Sequence, residues 1–144
     1  MGVSVLLSVT AFCTTPHIMA SAEPEPTPPG CRGRECDGED PESMGCTAPG
    51  SEFGIVAEAA FPGGARMDIR HSDHCGALWA RAWLTRSGDR IELRVPGRLT
   101  RQATVRDRYD AEGYVYTPMT GGDPANAEAC LLPADGRPEQ CFGL

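Results

Sequence analysis

Six cysteines, Cys31, Cys36, Cys46, Cys75, Cys130 and Cys141, constrain this chain more than any other feature. An even set of cysteines in a small exported chain reads as a disulfide framework. A seventh, Cys13, falls in a segment expected to be cut away. Six cysteines allow fifteen pairings, and spacing alone does not choose among them. The most local set is the expected one: Cys31–Cys36, Cys46–Cys75 and Cys130–Cys141. Bridges of this kind contribute about 2–4 kcal/mol each. Together they rival the whole stability of an ordinary domain, about 5–15 kcal/mol. A tetrahedral zinc site is the competing use of cysteine and wants two close ligand pairs. Cys31 and Cys36 supply one pair, and no second follows at metal spacing, so no metal is expected there.

The first residues support export. Gly2 to Cys13 reads GVSVLLSVTAFC, an uncharged apolar run too short to span a bilayer and suited to a signal-peptide core. Ala20 and Ala22 supply the small residues a signal peptidase requires, so residues 1–22 are read as a signal peptide. No Lys or Arg precedes the apolar run. Phe12 stands where a lipoprotein signal needs a small residue, which argues against lipidation of Cys13. Residues 23–30, Glu-Pro-Glu-Pro-Thr-Pro-Pro-Gly, favour polyproline II and read as a short spacer. Residues 31–144 are then one domain. No later stretch is long and apolar enough to anchor it in a membrane. The expected location is extracellular.

Net charge is −7, which disfavours nucleic acid as a partner. The charge is uneven. Between Arg66 and Arg108 stand ten Arg and five acids, and both flanks are acidic.

Cys31 to Ser51 is rich in Gly, Pro and acids and reads as a disulfide-tied loop. Alternation begins beyond it. Ile55, Ala57, Ala59 and Phe61 share one face of a first strand, and Pro62-Gly63-Gly64 forms a hairpin turn. Met67, Ile69 and His71 mark a second strand. A third runs from Ala77 to Thr85, with Leu78, Ala80, Ala82 and Leu84 on one face and Trp79, Arg81 and Trp83 on the other. Ile91, Leu93 and Val95 mark a fourth, with Arg90, Glu92 and Arg94 outward. Leu99, Ala103 and Val105 suggest a fifth, and Tyr114 to Thr117 a sixth. Asp123 to Leu132 reads as a short C-terminal helix, with Asp123 as N-cap and Pro124 at the first helical position. The pattern predicts an all-β sandwich or small barrel of about six strands, stapled by disulfides.

Three groups of residues now stand in order along the chain. Cys31-Arg32-Gly33-Arg34-Glu35-Cys36-Asp37-Gly38-Glu39-Asp40-Pro41 is followed by Gly45-Cys46. Ile69-Arg70 and Cys75 precede Trp79-Ala80-Arg81. Tyr116-Thr117-Pro118-Met119 precedes Ala129-Cys130. These groups resemble the signatures of the YjfA-like secreted family, a domain of unknown function numbered 2690, over Cys31 to Cys141. The resemblance implies a small exported bacterial protein of actinomycete or bacillar type. It supplies no activity. The chain departs from the family at His71-Ser72-Asp73-His74, where an aromatic, a serine and a proline are more usual. Its C-terminus also lacks the aromatics usual after Cys141.

Four sets of residues invite chemistry. His71, Ser72, Asp73 and His74 contain the residue types of a hydrolase triad, but such side chains must converge from separate points of a scaffold. Adjacent on one loop, they read as a polar turn, and two histidines are too few to hold a metal. Asp37, Glu39 and Asp40 are weak calcium candidates, because the 12-residue spacing of an EF-hand is absent. Arg90 and Arg94, with Arg98 and Arg106, are expected on one outward strand face, where guanidinium forks suit an acidic cell-wall polymer. Pairing with Glu92 and the acidic flanks is the competing expectation. Trp79, Arg81 and Trp83 complete the candidate ligand face. Exposed, they would form a stacking platform; buried, they are core, and with nine aromatics in the chain the core claims both tryptophans. No cofactor is implied. The reading that follows is a secreted, non-enzymatic binding or structural domain of the cell envelope or medium. The alternatives are an exported hydrolase and a secreted inhibitor of another protein.

Overall fold

The computed structural model describes Gly2, residues 10–16 and residues 27–144. Ala20, Ala22 and the first half of the proline-rich spacer lie outside the described residues, as does most of the apolar run. Among the described residues no helix is long and apolar enough to cross a membrane.

Among the described residues nine strands form two antiparallel sheets. The first sheet contains β1 (Phe53–Ala60), β2 (Arg66–Ser72), β3 (Ala77–Trp83), β6 (Val115–Tyr116) and β7 (Thr120–Gly121), with both β6 and β7 paired to β3. The second has the order β5 (Arg101–Thr104), β4 (Arg90–Arg94), β8 (Glu128–Leu132), β9 (Gln140–Gly143). The sheets do not close into a barrel. Between them lies an aliphatic core built from the alternating side chains of β2, β3, β4 and β8: Met67, Ile69, Leu78, Ala80, Ile91, Leu93, Ala129 and Leu131 are all buried. In register, Ile69 faces Ala80 and Ile91 faces Leu131. Burying the Met, Ile and Leu side chains among them contributes about 1.5–3 kcal/mol each.

The outer face of the first sheet is covered as well. Cys31 to Ser51 folds through a 3-10 turn at Gly33–Cys36 and further turns, and packs onto it. This cap builds a second core: Cys31, Cys36, Cys46, Cys75, Ala77, Trp79 and Met119. Three bridges are formed, Cys31–Cys36, Cys46–Cys75 and Cys130–Cys141, which is the most local pairing. The Cys46–Cys75 bridge ties the cap to the loop between β2 and β3. Backbone bonds do the rest. Gly33 N–H donates to the Cys75 carbonyl, Gly38 N–H to that of Met119, and Met119 N–H to that of Glu39. Gly121 lies so close to the cap that a Cβ there would collide with the Gly33 carbonyl.

Four expectations are corrected. Asp123 to Leu132 is not a helix. Asp123 does cap, its Oδ1 accepting from Ala125 N–H at 2.8 Å, but only Pro124–Asn126 turns, as a 3-10 segment. Glu128–Leu132 instead pairs with β4 on one side and β9 on the other. Short apolar runs suit either period, and here two waiting strand edges and the Cys130–Cys141 bridge decide the outcome. The α-helix that does form, α1 (Arg108–Glu112), starts at Asp107, whose carboxylate accepts from Asp110 N–H. The second correction is the strand count, nine rather than six, because β7 and β9 are too short to show a clear alternation and β8 reads as helix. Thirdly, a bulge between Ile55 and Ala57 interrupts β1. It leaves Ile55 exposed and packs Val56 against the core. Lastly, Leu84 is not on the core face. Strand β3 ends at Trp83, and Leu84 turns out to solvent at φ 54°.

Candidate functional site

Strand β3 places Trp79, Arg81 and Trp83 on the outer face of the first sheet, opposite Arg70, Asp68 and Arg66 of β2. The row divides sharply along its length. Trp79 is wholly buried under the cap and is core, not ligand face. Asp68 is also wholly buried, and it receives the Arg81 guanidinium through Nη2 at 2.6 Å and Nε at 3.3 Å. Burial works against the Arg81 charge. The Asp68 carboxylate more than offsets this and holds the guanidinium above its ordinary pKa.

So fixed, Arg81 lies 5.0 Å from the Trp83 ring and 4.5 Å from that of Tyr114. Such cation–π contacts orient the rings as well as attract them. The Trp83 and Tyr114 centroids are 5.8 Å apart, and those of Tyr114 and Tyr116 are 6.4 Å apart. Arg66 approaches Trp83 from β2 at 5.7 Å. The result is a continuous aromatic tract along β3 and β6. Tyr114 is 53 % exposed, and Tyr109 of α1, at 87 %, stands beside it. Two open grooves meet at Tyr114 and Tyr116. One is lined by Tyr109, Asp110, Glu112 and Gly113, the other by Asp40, Thr104, Arg106 and Asp110. Arg106 donates to Asp110 and holds its carboxyl below the usual range. The tract thus combines aromatic faces with carboxylates and a guanidinium at its rim. Sequence reasoning named Arg81 and Trp83 as a candidate face but assigned both tryptophans to the core, which holds for Trp79 and not for half-buried Trp83. It missed the tyrosines, which approach from another strand and from α1.

The other candidates are brought to different places. Arg90 and Arg94 do point outward from β4, but they are paired. Arg94 meets Glu92 at 2.7 Å, Glu139 at 2.8 Å and Glu128 at 3.6 Å, and Arg90 meets Glu92 at 3.5 Å. Hydrogen bonds from Arg94 to Glu139 and Glu92 raise its pKa. Arg98 and Arg106 do not share that face, because both lie off the strands. Arg98 binds Asp37 at 2.6 Å, and Arg106 belongs to the groove.

The calcium candidates each have a different task. Asp37 accepts from Arg98 and from Gly121 N–H at 2.8 Å. Burial opposes its ionisation, but these two donors prevail and its pKa falls below 3.8. Asp40 Oδ1 accepts from the N–H groups of Glu42 and Ser43 and so caps a turn. The Glu39 backbone pairs with Met119. The three carboxylates do not converge into an oxygen cage. Nor does the end of β2 with the turn after it assemble a triad: His71 and Ser72 are the last residues of the strand, and only Asp73 and His74 lie in the turn. His71 Nδ1 lies 3.2 Å from Asp73 Oδ1, and His74 Nε2 lies 3.0 Å from the Thr27 carbonyl. Ser72 is buried, and its Oγ accepts from Cys75 N–H.

Fold and site together define a disulfide-bonded β-sandwich that carries a preformed aromatic and arginine surface. Over residues 34–130, about two thirds of its length, the chain matches the family described as a protein of unknown function (DUF2690), and it belongs to that family. No curated protein and no solved structure matches it.

Proposed function

We propose that this chain is an exported, non-enzymatic binding domain that holds an uncharged glycan on the Trp83–Tyr114–Tyr116 tract. One observation carries the reading: the rings are exposed in part and held in place by a guanidinium that a buried carboxylate fixes. Sugar rings present flat C–H faces that stack on aromatic side chains, while their hydroxyls need a few fixed polar partners. Asp110, Arg106 and Asp40 at the groove rim are such partners. An acidic polymer suits the surface less. Carboxylates line both grooves, the net charge is −7, and the Arg90 and Arg94 forks are already occupied by Glu92, Glu128 and Glu139. Export is supported by the three bridges, which persist in oxidising compartments.

The test is depletion of the oxidised protein from solution by insoluble neutral polysaccharides, compared with charged ones. The neutral polymers should retain it. The pair Trp83→Ala and Tyr114→Ala should weaken retention by about tenfold or more, since each stacking contact is worth about 0.5–1.5 kcal/mol beyond the area it buries. Charge reversal at Arg90 and Arg94 should leave retention unchanged. Retention of the aromatic double variant, or retention by acidic polymers alone, would overturn the reading.

A further inference from the structure

The second core brings together four sulfurs that lie far apart in sequence. The Sγ atoms of Cys31, Cys36, Cys46 and Cys75 all lie within 4.8 Å of one another, and all four residues are buried. Two bridges, Cys31–Cys36 and Cys46–Cys75, are therefore in contact side by side. We propose that this cluster has two states: a pair of disulfides when oxidised, and a tetrathiolate zinc site when reduced.

Geometry supports the second state. Zinc takes four thiolates at about 2.3 Å in a tetrahedron, which spaces the sulfurs about 3.8 Å apart. The four Sγ already occupy that volume. The Cα atoms of the two bonded pairs are 5.1 and 5.6 Å apart, so side-chain rotation suffices and the backbone need not part. The surroundings support it too. Trp79 Nε1–H is buried in this same cluster and donates to no described group. A buried, unpaired donor is costly, and thiolate sulfur carrying negative charge is an acceptor for it. The oxidised bridges provide no such charge.

The step between the states balances. A dithiol reductant gives two electrons and two protons to each bridge and leaves as its own disulfide, so two equivalents yield four thiols. Zinc then displaces the four thiol protons to solvent and forms four Zn–S bonds, with no change in its oxidation state. The cap over the first sheet keeps a cross-link in either state: sulfur to sulfur when oxidised, sulfur to metal when reduced.

The probe is cobalt(II), which reports tetrahedral thiolate ligation by its visible bands. Protein reduced with a phosphine under anaerobic conditions should bind one equivalent, develop thiolate-to-metal charge-transfer and tetrahedral d–d absorption, and lose both on adding zinc. Cys130→Ser with Cys141→Ser should keep the bands. Cys46→Ser with Cys75→Ser should lose them. A second measurement needs no variant. Zinc should slow alkylation of Cys31, Cys36, Cys46 and Cys75 by about tenfold or more in the reduced protein, while exposed Cys141 reacts as before. Absence of cobalt bands, bands that depend on Cys130 and Cys141, or equal alkylation with and without zinc would overturn the proposal.

Discussion

Each sheet turns arginines outward, and the two outer faces treat them in opposite ways. On the first sheet Arg81 reaches inward to Asp68, which has no solvent exposure. The disulfide-tied cap covers the far end of the row, and aromatic rings flank the near end. On the second sheet Arg90 and Arg94 lie in the open among Glu92, Glu128 and Glu139. The same residue type therefore does two kinds of work. A guanidinium bound to a buried carboxylate is a fixed support for its neighbours. A guanidinium shared among carboxylates of which two, Glu128 and Glu139, are exposed is screened by solvent. Only the first can hold rings in a defined array, which is why the candidate surface belongs to β3 and β6 and not to β4.

The sharpest way to break this contrast is Asp68→Asn. The substitution keeps the shape and removes the charge that Arg81 requires. Removing one partner of a buried pair typically costs about 3–5 kcal/mol, because the other charge is left uncompensated. A fall of that size in urea-unfolding stability is expected. Adding Arg81→Gln in the same chain should recover part of it and not all, since Arg70, whose Nε lies 3.8 Å from Asp68 Oδ1, still loses its carboxylate. The double variant should still lose retention on neutral polysaccharide, because the tyrosine and tryptophan rings lose their fixed cation. A stability loss below about 1 kcal/mol for Asp68→Asn would place this pair among ordinary surface pairs and dissolve the contrast.

Much of this architecture was legible from residues alone, for stated reasons. Strands β2, β3 and β4 alternate cleanly, and their inward residues are those of the aliphatic core. The bulge at Val56 was not legible, since a one-residue slip leaves no mark in composition. The division of the Trp79–Arg81–Trp83 row was illegible for another reason. Periodicity assigns side chains to a face, but it does not reveal that a loop about 30 to 50 residues upstream covers half of that face. Pairing of Arg90 and Arg94 with Glu92 and the acidic flanks was legible, but not which flank residues take part, because Glu128 and Glu139 come from strands that only the fold brings alongside. The four-sulfur cluster escaped because its second pair, Cys46 and Cys75, is 29 residues apart, whereas metal spacing is sought over a few residues.

Between the two extremes stands Asp37, which ties the cap to Arg98 and Gly121. Its folded pKa is depressed below the ordinary 3.8, despite burial that alone would raise it. A depressed carboxylate adds stability that is complete above the unfolded pKa and is lost as pH falls through the folded one. Asp37→Asn should therefore lower stability at neutral pH, and the gap to the parent should close below about pH 4. Urea midpoints followed from about pH 6 to about pH 2 would show this. A gap that stays constant with pH would mean that the substitution acts through lost packing and not through lost charge.

The smallest effect should come from Arg94→Ala, and its salt dependence matters more than its size. Exposed ion pairs contribute about 0–1 kcal/mol, because water screens them and long side chains lose freedom in making them. Arg94 meets three carboxylates at once, so its removal leaves Glu92, Glu128 and Glu139 facing one another without a cation. That repulsion acts through solvent and weakens as the Debye length shrinks from about 10 Å at 0.1 M salt to about 3 Å at 1 M. The cost of Arg94→Ala should accordingly fall by half or more between about 0.1 and about 1 M sodium chloride. The cost of Asp68→Asn should hardly move over the same range, since little solvent lies between Asp68 and Arg81. Equal salt sensitivity in the two variants would show that both sheets present the same kind of arginine, and would remove the physical ground for assigning the rigid surface to only one of them.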